Sequence, residues 1–362
     1  MIAASHPSAR TSPAVSRSGL DPLELEHCVR LCAQPLASLA DASMLVTGAT
    51  GWFGTWLLDV LCAADDALHL GLRITAVSRD PQRFLARFPA FIREPRLAWI
   101  TADVRRWTPP PDFTHIIHGA ADSSVPPAPE AQRQLSETIV QGTRRALKGA
   151  SPKCRGFLLV SSGAVYGRCK PGQSRFSEAD TEGAHPALPQ SAYGEAKRTA
   201  EQIAERASAG GVPVRIARCF AFVGPHMPFD RHFAVGNFIA DAVGGRPIRI
   251  KSDGRPQRSY LYMTDLVRAL ITVLVNGEDA RPYNVGSNAA VSIEQLARQV
   301  DRIAGGKGVV IDGAASDPDD RYVPDTSRLG AELGFLPDVP LESAISRTAA
   351  WYRAQRRAPV PS

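Results

Sequence analysis

A glycine-containing turn near the start of this chain constrains its fold more than any other feature of the sequence. A short apolar run, Met44–Gly48, leads directly into the turn and then into an apolar stretch with helical spacing. In a strand–turn–helix unit of this kind, Gly48 makes the tight turn, Gly51 lets the backbone approach a pyrophosphate, and Gly54 lets the helix pack on the strand. The helix N-terminus adds amide donors and the positive end of a dipole. The turn therefore predicts a dinucleotide site, with cofactor contacts at Gly48, Thr50, Gly51, Trp52, Phe53 and Gly54.

Strand-like and helix-like segments alternate from this turn to about residue 220. The predicted strands are Met44–Gly48, Ile74–Ser78, His115–Ala121, Gly156–Ser161 and Val214–Arg218, and the predicted helices are Thr55–Cys62, Glu130–Lys148 and Tyr193–Ala209. Such alternation is typical of right-handed β–α–β units, so we expect an α/β Rossmann fold with a doubly wound parallel sheet. Beyond Phe220 the elements become shorter, with helices expected at Thr264–Val275 and Ile293–Ile303, which indicates a smaller interleaved C-terminal substrate lobe.

The sequence predicts three parts. Residues 1–43 form an N-terminal extension, partly disordered because its first twenty residues are rich in Ser, Ala, Pro and Arg; a transit peptide is the alternative. An accessory helix is expected at Asp21–Leu39, and the ordered fold is expected to begin at Met44. A dinucleotide-binding domain covers 44–220 and 257–287, and a substrate-binding lobe covers 221–256 and 288–355.

Composition narrows the possible functions. The 362 residues are 44% hydrophobic and 22% charged, as in a globular enzyme with a substantial core. The net charge of +6 is scattered without a basic run, so no nucleic-acid partner is expected. The six cysteines show no zinc-ligand spacing, which predicts no metal site and favours a cytoplasmic location. No apolar stretch reaches about 18 residues, so no membrane span is expected.

The tip of the second predicted strand bears on cofactor choice. An acidic residue at this position binds the ribose 2′-hydroxyl of NAD in many such folds. Here Ser78 and Arg79 offer a hydroxyl and a guanidinium, which suit a 2′-phosphate. Asp80 turned inward would favour NAD instead, and a solvated Arg79 would favour neither. The motif favours NADP over NAD.

Tyr193 and Lys197 are the predicted catalytic pair. Their i, i+4 spacing places both side chains on one face of a helix. A nearby ammonium lowers the pKa of a phenol from about 10, so Tyr193 is expected to exchange protons near neutral pH. This spacing also occurs on ordinary exposed helices. Ser162, at the carboxyl end of the strand Gly156–Ser161, supports the catalytic interpretation because a substrate oxygen would be held there, while Ser161 caps the strand.

Taken together, Gly48–Gly54, Ser162 and the Tyr193/Lys197 pair resemble the extended short-chain dehydrogenase/reductase family, in its NAD-dependent epimerase/dehydratase branch. Further segments extend the resemblance over about Met44 to Tyr352: Arg218–Pro225, Gly254–Asp265, Tyr283–Gly286 and Arg321–Phe335. The resemblance implies a nucleoside-diphosphate sugar substrate and a 4-keto intermediate. In that chemistry Tyr193 removes the C4 hydroxyl proton while hydride passes to the nicotinamide, and Ser162 polarises the same oxygen.

The resemblance implies further contacts. Asp103 and Val104 would flank the adenine, Ala120 and Ala121 would line the cofactor groove, and Phe220 would lie at the nicotinamide. Ser123 and Ser162 would touch the sugar, and Arg258 and Arg321 would clamp the diphosphate, although either arginine alone is more typical of a surface position. The predicted helices at 130–148 and 193–209 would form a homodimer.

Departures from the family pattern narrow the chemistry. Sugar 4,6-dehydratases carry an Asp-Glu pair after the strand serine or threonine, and a related decarboxylase branch also uses an acidic residue there. This chain has Gly163 and Ala164, which argues against both reactions and leaves a 4-epimerase or a 4-ketoreductase. Ile139 and Ala221 stand where asparagine is usual in the family. The family's ordinary substrate contacts are therefore not expected at these two positions.

Three alternatives remain open on the sequence. One is a dehydratase with displaced acid and base groups, and another is a non-catalytic dinucleotide sensor or scaffold. The third is a Cys/His pair that would act as acid and base for epimerisation at C3 or C5. The competing interpretation is that the same residues have only packing or surface roles. Those residues are Cys169, His185, Cys219 and His226.

Overall fold

A computed structural model describes residues 15–121, 128–180, 192–229, 233–315 and 320–357. The strands, in chain order, are β1 (Ser43–Thr47), β2 (Arg73–Ser78), β3 (Leu97–Thr101), β4 (His115–His118), β5 (Gly156–Ser162), β6 (Val214–Cys219), β7 (Phe222–Val223), β8 (Ile248–Ile250), β9 (Gln257–Arg258), β10 (Leu261–Tyr262), β11 (Pro282–Val285), β12 (Val291–Ser292), β13 (Val309–Ile311) and β14 (Arg321–Tyr322). The α-helices are α1 (Pro22–Leu31), α2 (Ala33–Ala37), α3 (Trp52–Leu68), α4 (Pro81–Arg87), α5 (Pro129–Leu147), α6 (Ala192–Ala209), α7 (Ala234–Val243), α8 (Met263–Asn276), α9 (Ile293–Ala304), α10 (Ser327–Leu333) and α11 (Leu341–Arg357).

Seven parallel strands form the central sheet, in the order β11-β6-β5-β4-β1-β2-β3. Strands β4 and β5 are buried along their whole length, because helices cover both faces of the sheet. The strand order changes direction between β1 and β4, and the crevice beyond their carboxyl ends is where ligands bind in open sheets of this kind. The predicted Rossmann fold is confirmed.

The helices divide the core into two apolar layers. Helices α3 and α8 supply much of the layer on one face of the sheet, with buried side chains such as Leu58 and Leu270. On the opposite face α5 and α6 pack on the sheet through Leu135 and Ala200. Every helix predicted from the main sequence patterns is present, with bounds that differ by a few residues. Among the described residues, no helix combines the length and the hydropathy needed to cross a membrane.

Residues before Met44 also belong to the core, so the predicted start of the ordered fold was too late. Helices α1 and α2 pack over α3 and α8, and Leu25 and Leu36 have no solvent exposure. The buried carboxylate of Asp59, in α3, accepts hydrogen bonds from the backbone nitrogens of Arg17 at 2.8 Å and Ser18 at 3.0 Å. The helix predicted at 21–39 is therefore present, although it breaks at Cys32 into two helices.

Strand β3 was not predicted from the sequence. It lies at the edge of the sheet beside β2, and each of its five residues is at least partly exposed. An edge strand of this kind lacks the continuous apolar run that identifies the central strands. It extends the sheet on the β2 side, next to the expected adenosine end of the crevice.

The segments after β6 build a smaller set of sheets beside the crevice. Strand β9 pairs with β12 and β14, β10 pairs with β7, and β13 pairs with β8. The parallel register of β14 on β9 sets Tyr322 opposite Arg258 and Arg321 opposite Gln257. Residues far apart in the sequence are thereby brought to one end of the main sheet.

Candidate active site

The turn after β1 has the close approaches that the glycine pattern predicts. Gly48 has a φ of +75°, and a Cβ there would lie 2.7 Å from the carbonyl carbon of Gly119. A Cβ on Gly54 would lie 2.4 Å from the backbone oxygens of Gly48 and Ala49. Gly51 caps α3 and has no side chain to bind the first amides of the helix, so these donors face the crevice. The cradle fits a dinucleotide pyrophosphate.

The other residues predicted in the turn have separate roles. The hydroxyls of Thr50 and Ser78 lie 3.1 Å apart and join the turn to the tip of β2. The Trp52 indole donates to the backbone oxygen of Pro225 at 2.8 Å, and the Phe53 ring packs edge-on against Phe222. The side chains of Trp52 and Phe53 therefore support the core, and only their backbone amides are free to face a cofactor.

The tip of β2 presents a cation rather than a carboxylate. The Asp80 side chain accepts the backbone N–H of Arg83 at 3.0 Å. Its carboxylate therefore serves as the N-terminal cap of α4. Arg79 is exposed at the same tip. The guanidinium of Arg105, bonded to Asp103, holds the pKa of that carboxylate below its usual range, and Arg79 contributes to the same effect. Arg105 was missed by sequence reasoning.

The remaining predicted cofactor contacts lie along the crevice. Val104 is buried, and its side chain lies 3.2 Å from the position of a Cβ on Gly142 in α5. Ala120 and Ala121 follow β4 and pack, partly buried, on the apolar layer that also contacts Tyr193. The backbone of Ala120 meets the glycine turn, because a Cβ on Gly48 would lie 2.9 Å from its nitrogen.

Ser162, Tyr193 and Lys197 meet at the carboxyl end of β5. Tyr193 is the second residue of α6, and Lys197 lies one helical turn later. The Lys197 ammonium donates to the backbone oxygen of Val160 at 2.7 Å and lies 5.8 Å from the centroid of the Tyr193 ring. The Ser162 hydroxyl accepts the backbone N–H of Ala164 at 3.1 Å and lies near enough to Tyr193 to affect the pKa of that phenol.

Burial dominates the electrostatics of this trio. It lowers the pKa of Lys197 to about 8 and raises the pKa of Tyr193 to about 12, with the Ser162 hydrogen bond opposing the rise at Tyr193. The sequence analysis expected Lys197 to lower the phenol pKa toward neutrality. The outcome is the opposite, because the ammonium bonds to a β5 carbonyl and the phenol is desolvated.

A buried polar network behind the trio was also missed by sequence reasoning. Glu201, one turn after Lys197 on α6, accepts from the Ser161 hydroxyl and from Arg218 at 2.7 Å. Arg218 also donates to the Tyr166 hydroxyl at 3.0 Å, and that hydroxyl donates to Asn284 at 2.7 Å. The network ties α6 to β5, β6 and β11, so it fixes the helix that carries Tyr193. The i, i+4 spacing of Lys197 and Glu201 was its signal in the sequence.

Position 163 is enclosed by aromatic side chains. A Cβ on Gly163 would lie 2.7 Å from ring carbons of Phe220 and 2.8 Å from the Tyr322 hydroxyl. The Phe220 and Tyr322 rings pack with centroids 4.7 Å apart. No side chain fits at 163 without moving one of these rings. Tyr322 was missed because only its neighbour, Arg321, matched the diphosphate-clamp pattern.

The predicted diphosphate arginines lie on neighbouring strands. Arg258 is held by Asp320 through an ion pair of 3.0 Å, and Arg321 is partly buried on β14. Both strands run toward the trio, since the Tyr322 hydroxyl of β14 lies 2.8 Å from the position of a Cβ on Gly163, the residue after Ser162. Ser123 and His185 lie outside the described residues.

The Cys/His alternative finds little support in the contacts. His226 packs against Phe88 and Trp351, with ring centroids 5.1 and 4.7 Å away, and burial lowers its pKa to about 3. Cys169 donates to the backbone oxygen of Gln173 at 3.2 Å. Cys219 lies near Lys197, but burial raises its pKa to about 12 and keeps it a thiol. These contacts favour packing roles.

Comparison with known proteins identifies relatives. The model of the NAD dependent epimerase/dehydratase family matches residues 44–286. UDP-glucuronic acid decarboxylase 1 of Arabidopsis thaliana is 29% identical over 86% of this chain and 69% of its own length. UDP-glucuronic acid decarboxylase 1 of Xenopus tropicalis is 31% identical over 67% of this chain, which spans 58% of that protein. The dTDP-glucose 4,6-dehydratase of Streptomyces griseus is 27% identical over 86% of this chain and 94% of its own length.

Solved structures show the same fold. UDP-glucose 4-epimerase from Thermotoga maritima, in complex with UDP-glucose, superposes with a TM-score of 0.72 at 22% identity, covering 87% of this chain and 100% of the other. The dTDP-glucose 4,6-dehydratase from Bacillus anthracis, in complex with NAD, gives a TM-score of 0.72 at 20% identity, covering 86% and 97%.

Proposed function

This chain belongs to the NAD-dependent epimerase/dehydratase family of the extended short-chain dehydrogenases/reductases, and we propose that it is a nucleotide-sugar 4-epimerase or 4-ketoreductase. One observation carries the proposal. Ser162, Tyr193 and Lys197 converge at the end of β5, while the adjoining position 163 has no room for an acidic side chain. The site is therefore equipped for hydride transfer at a carbinol or carbonyl carbon.

In the proposed reaction Tyr193 exchanges a proton with the sugar C4 oxygen and Ser162 donates a hydrogen bond to the same oxygen. A nicotinamide held in the crevice would supply or accept the hydride. The Lys197 ammonium stays close enough to Tyr193 to favour the phenolate as it forms. Because neither Gly163 nor Ala164 can carry a proton, the residues after Ser162 do not take a 4-keto sugar on to elimination.

We propose NADP as the preferred cofactor, although solved relatives such as the Bacillus anthracis dehydratase contain NAD. Two features of the β2 tip support the proposal. Arg79 is exposed there, and the Asp80 carboxylate is used to cap α4. A guanidinium suits a 2′-phosphate, whereas NAD is usually held by an acidic residue.

A nucleoside-diphosphate sugar is the proposed substrate, held at its diphosphate by Arg258 and Arg321. Their neighbouring strands and their approach to the trio support this assignment. We also propose a homodimer through α5 and α6, and the six free thiols fit a cytoplasmic location.

The function is tested with purified protein. Bound nucleotide is released and identified, and the protein is then incubated with UDP- and dTDP-sugars and their 4-keto derivatives, with and without NADPH. We expect C4 epimers or reduced sugars, and loss of both in Tyr193→Phe. A 4-keto-6-deoxy product would instead indicate the dehydratase alternative. Protein that binds no dinucleotide, or turns over sugars equally well after Tyr193→Phe, would contradict the proposal.

A further inference from the structure

We infer that Tyr166 is a positioning residue, whose hydroxyl connects the helix that carries Tyr193 to the aromatic side chains beside position 163. We call these side chains the aromatic wall; they are Phe176, Phe220 and Tyr322. The inference rests on the proposed function, because it takes the aromatic wall as one side of the sugar pocket. Tyr166 would act through these neighbours and not by touching the substrate.

The aromatic wall lies next to Ser162. A Cβ on Gly163, the residue after Ser162, would lie 2.7 Å from ring carbons of Phe220 and 2.8 Å from the Tyr322 hydroxyl. The buried ring of Phe176 packs against both side chains, with its centroid 6.3 Å from that of Phe220 and 6.5 Å from that of Tyr322. A displacement of Phe176 would therefore change the space beside the reacting sugar.

Asn284 of β11 holds the backbone of the aromatic wall. Its side chain is fully buried, and the amide group donates to the backbone oxygens of Phe176 at 2.9 Å and Asp325 at 3.0 Å. The backbone nitrogen of Phe176 donates to the oxygen of Val323 at 2.9 Å, directly after Tyr322. The segments that carry Phe176 and Tyr322 are thus fixed to each other and to the central sheet.

The bonds of Asn284 determine the direction of its hydrogen bond with Tyr166. Both protons of the amide go to carbonyl oxygens, so the oxygen Oδ1 is left, and an amide oxygen only accepts. The Tyr166 hydroxyl therefore donates to Asn284, at 2.7 Å. Its own oxygen accepts from Arg218 at 3.0 Å. The single proton of the phenol is committed to the aromatic wall, and its lone pair to the arginine.

Arg218 continues the connection to α6. Its guanidinium donates to Glu201 at 2.7 Å, and both side chains are largely buried. Separating this pair would leave an uncompensated buried charge, so the two side chains stay together. Glu201 lies one turn after Lys197 on α6 and also accepts from the Ser161 hydroxyl. Hydrogen bonds thus run without a break from α6 through the Tyr166 hydroxyl to the aromatic wall.

Kinetics of Tyr166→Phe test the inference, since phenylalanine keeps the ring that stacks on Phe176 with centroids 5.1 Å apart. We expect kcat, expressed per site that binds dinucleotide, to fall about tenfold, because the aromatic wall and Tyr193 are no longer held in one geometry. Tyr283→Phe is the matched control, because that phenol also makes two hydrogen bonds, to Glu278 and Glu332. A Tyr166→Phe protein that is less stable to urea but has an unchanged kcat per site would overturn the inference.

A second measurement needs no substrate and separates this inference from the proposed function. In protein labelled at tyrosine Cζ, the Tyr322 signal is assigned by its loss in Tyr322→Phe. We expect Glu201→Gln to shift this signal, and to leave it unmoved in a Tyr166→Phe background, because the connecting hydroxyl is gone. Exposed Glu205→Gln, one turn further along α6, is the matched control and should not move the signal. A Tyr322 signal that stays in place in Glu201→Gln, or moves equally in both backgrounds, refutes the connection even if no sugar is turned over.

The same labelled protein decides the question if Glu201→Gln does not fold. Tyr166→Phe alone should then shift the Tyr193 signal, because α6 loses its bond to the aromatic wall. The Tyr193 signal is assigned by its loss in Tyr193→Phe. An unmoved Tyr193 signal would contradict the positioning role.

Discussion

The Lys197 ammonium donates to the backbone oxygen of Val160 at 2.7 Å, which anchors the proposed catalytic helix to the strand that ends in Ser162. Lys197 is buried, with a side chain drawn across the carboxyl end of β5 rather than into solvent. The bond fixes the distance between α6 and β5, and therefore between Tyr193 and Ser162. The bond offsets only part of the cost of burying the Lys197 charge, since burial still lowers the pKa of Lys197.

Lys197→Met should increase stability at neutral pH while abolishing activity. Burial lowers the pKa of Lys197 from 10.5 to about 8, so the unfolded chain binds more protons between these pH values. The contribution of Lys197 to the free energy of unfolding therefore rises with pH between about 8 and 10.5. Below about pH 8 the ammonium is charged in both the folded and the unfolded state, so the folded protein bears the whole cost of burying it. Urea unfolding at several pH values should show the variant's advantage at pH 7 shrinking toward pH 10.5. Exposed Lys307→Met is the control, and an advantage independent of pH would contradict the prediction.

Gly48→Ala should abolish dinucleotide binding. The residue has a φ of +75°, and its new methyl group would lie 2.7 Å from the Gly119 backbone, so the turn must open. Gly172→Ala is a matched control, because its φ is +76° and no described atom lies within 4 Å of the Cβ position. The control should lose only the backbone cost of about 1–2 kcal/mol. Fluorescence titration with NADPH and urea unfolding measure the two effects, and equal behaviour of both variants would exclude a role for the close approach.

Arg79→Ala should weaken NADPH binding about tenfold and leave NADH binding almost unchanged, because the guanidinium is proposed to contact only the 2′-phosphate. Exposed Arg93→Ala, in the same region of the chain, should change neither affinity. The measurement is the ratio of the two dissociation constants. A parallel loss for both cofactors would show that Arg79 does not distinguish them.

Gly163→Asp should inactivate the protein without creating dehydratase activity. The new side chain would meet the Phe220 ring and the Tyr322 hydroxyl at distances below 3 Å, so it cannot reach a sugar without displacing them. Gly172→Asp, on the exposed surface, controls for the added charge. Product analysis on dTDP- and UDP-glucose measures the outcome, and a 4-keto-6-deoxy sugar from the variant would show that the pocket accepts a carboxylate.

Much of the fold was predictable because its signals are local. The glycine turn, the alternation of strands and helices, and the Tyr193/Lys197 spacing each occupy a short stretch of chain with a characteristic period. Strand β3 was not predicted, because each residue of this edge strand is partly exposed and the sequence there lacks a continuous apolar run. The packing of α1 and α2 on the core was not predicted, because it depends on a contact between distant segments. Asp59 binds the backbone of Arg17 and Ser18, which precede it by 41 or more residues in the sequence.

Within the site, the sequence identified the residue types but did not predict the direction in which their pKa values shift. A phenol and an ammonium one helical turn apart suggested a lowered phenol pKa, yet burial raises the pKa of Tyr193 to about 12. The degree of desolvation depends on how α6 packs against β5, and helical spacing carries no information about it.

The sequence by itself determined the dinucleotide turn, the parallel sheet and the identity of the proposed trio, since each depends on residues close together along the chain. Only the tertiary structure brought the Tyr322 hydroxyl and the Phe220 ring to Gly163 and closed the space at that position. It did so through the pairing of β14 with β9, a contact between segments about sixty residues apart. The space beside Ser162 is set by such distant neighbours, because close packing depends on which segments the fold brings together and not only on the residues next to it in the chain.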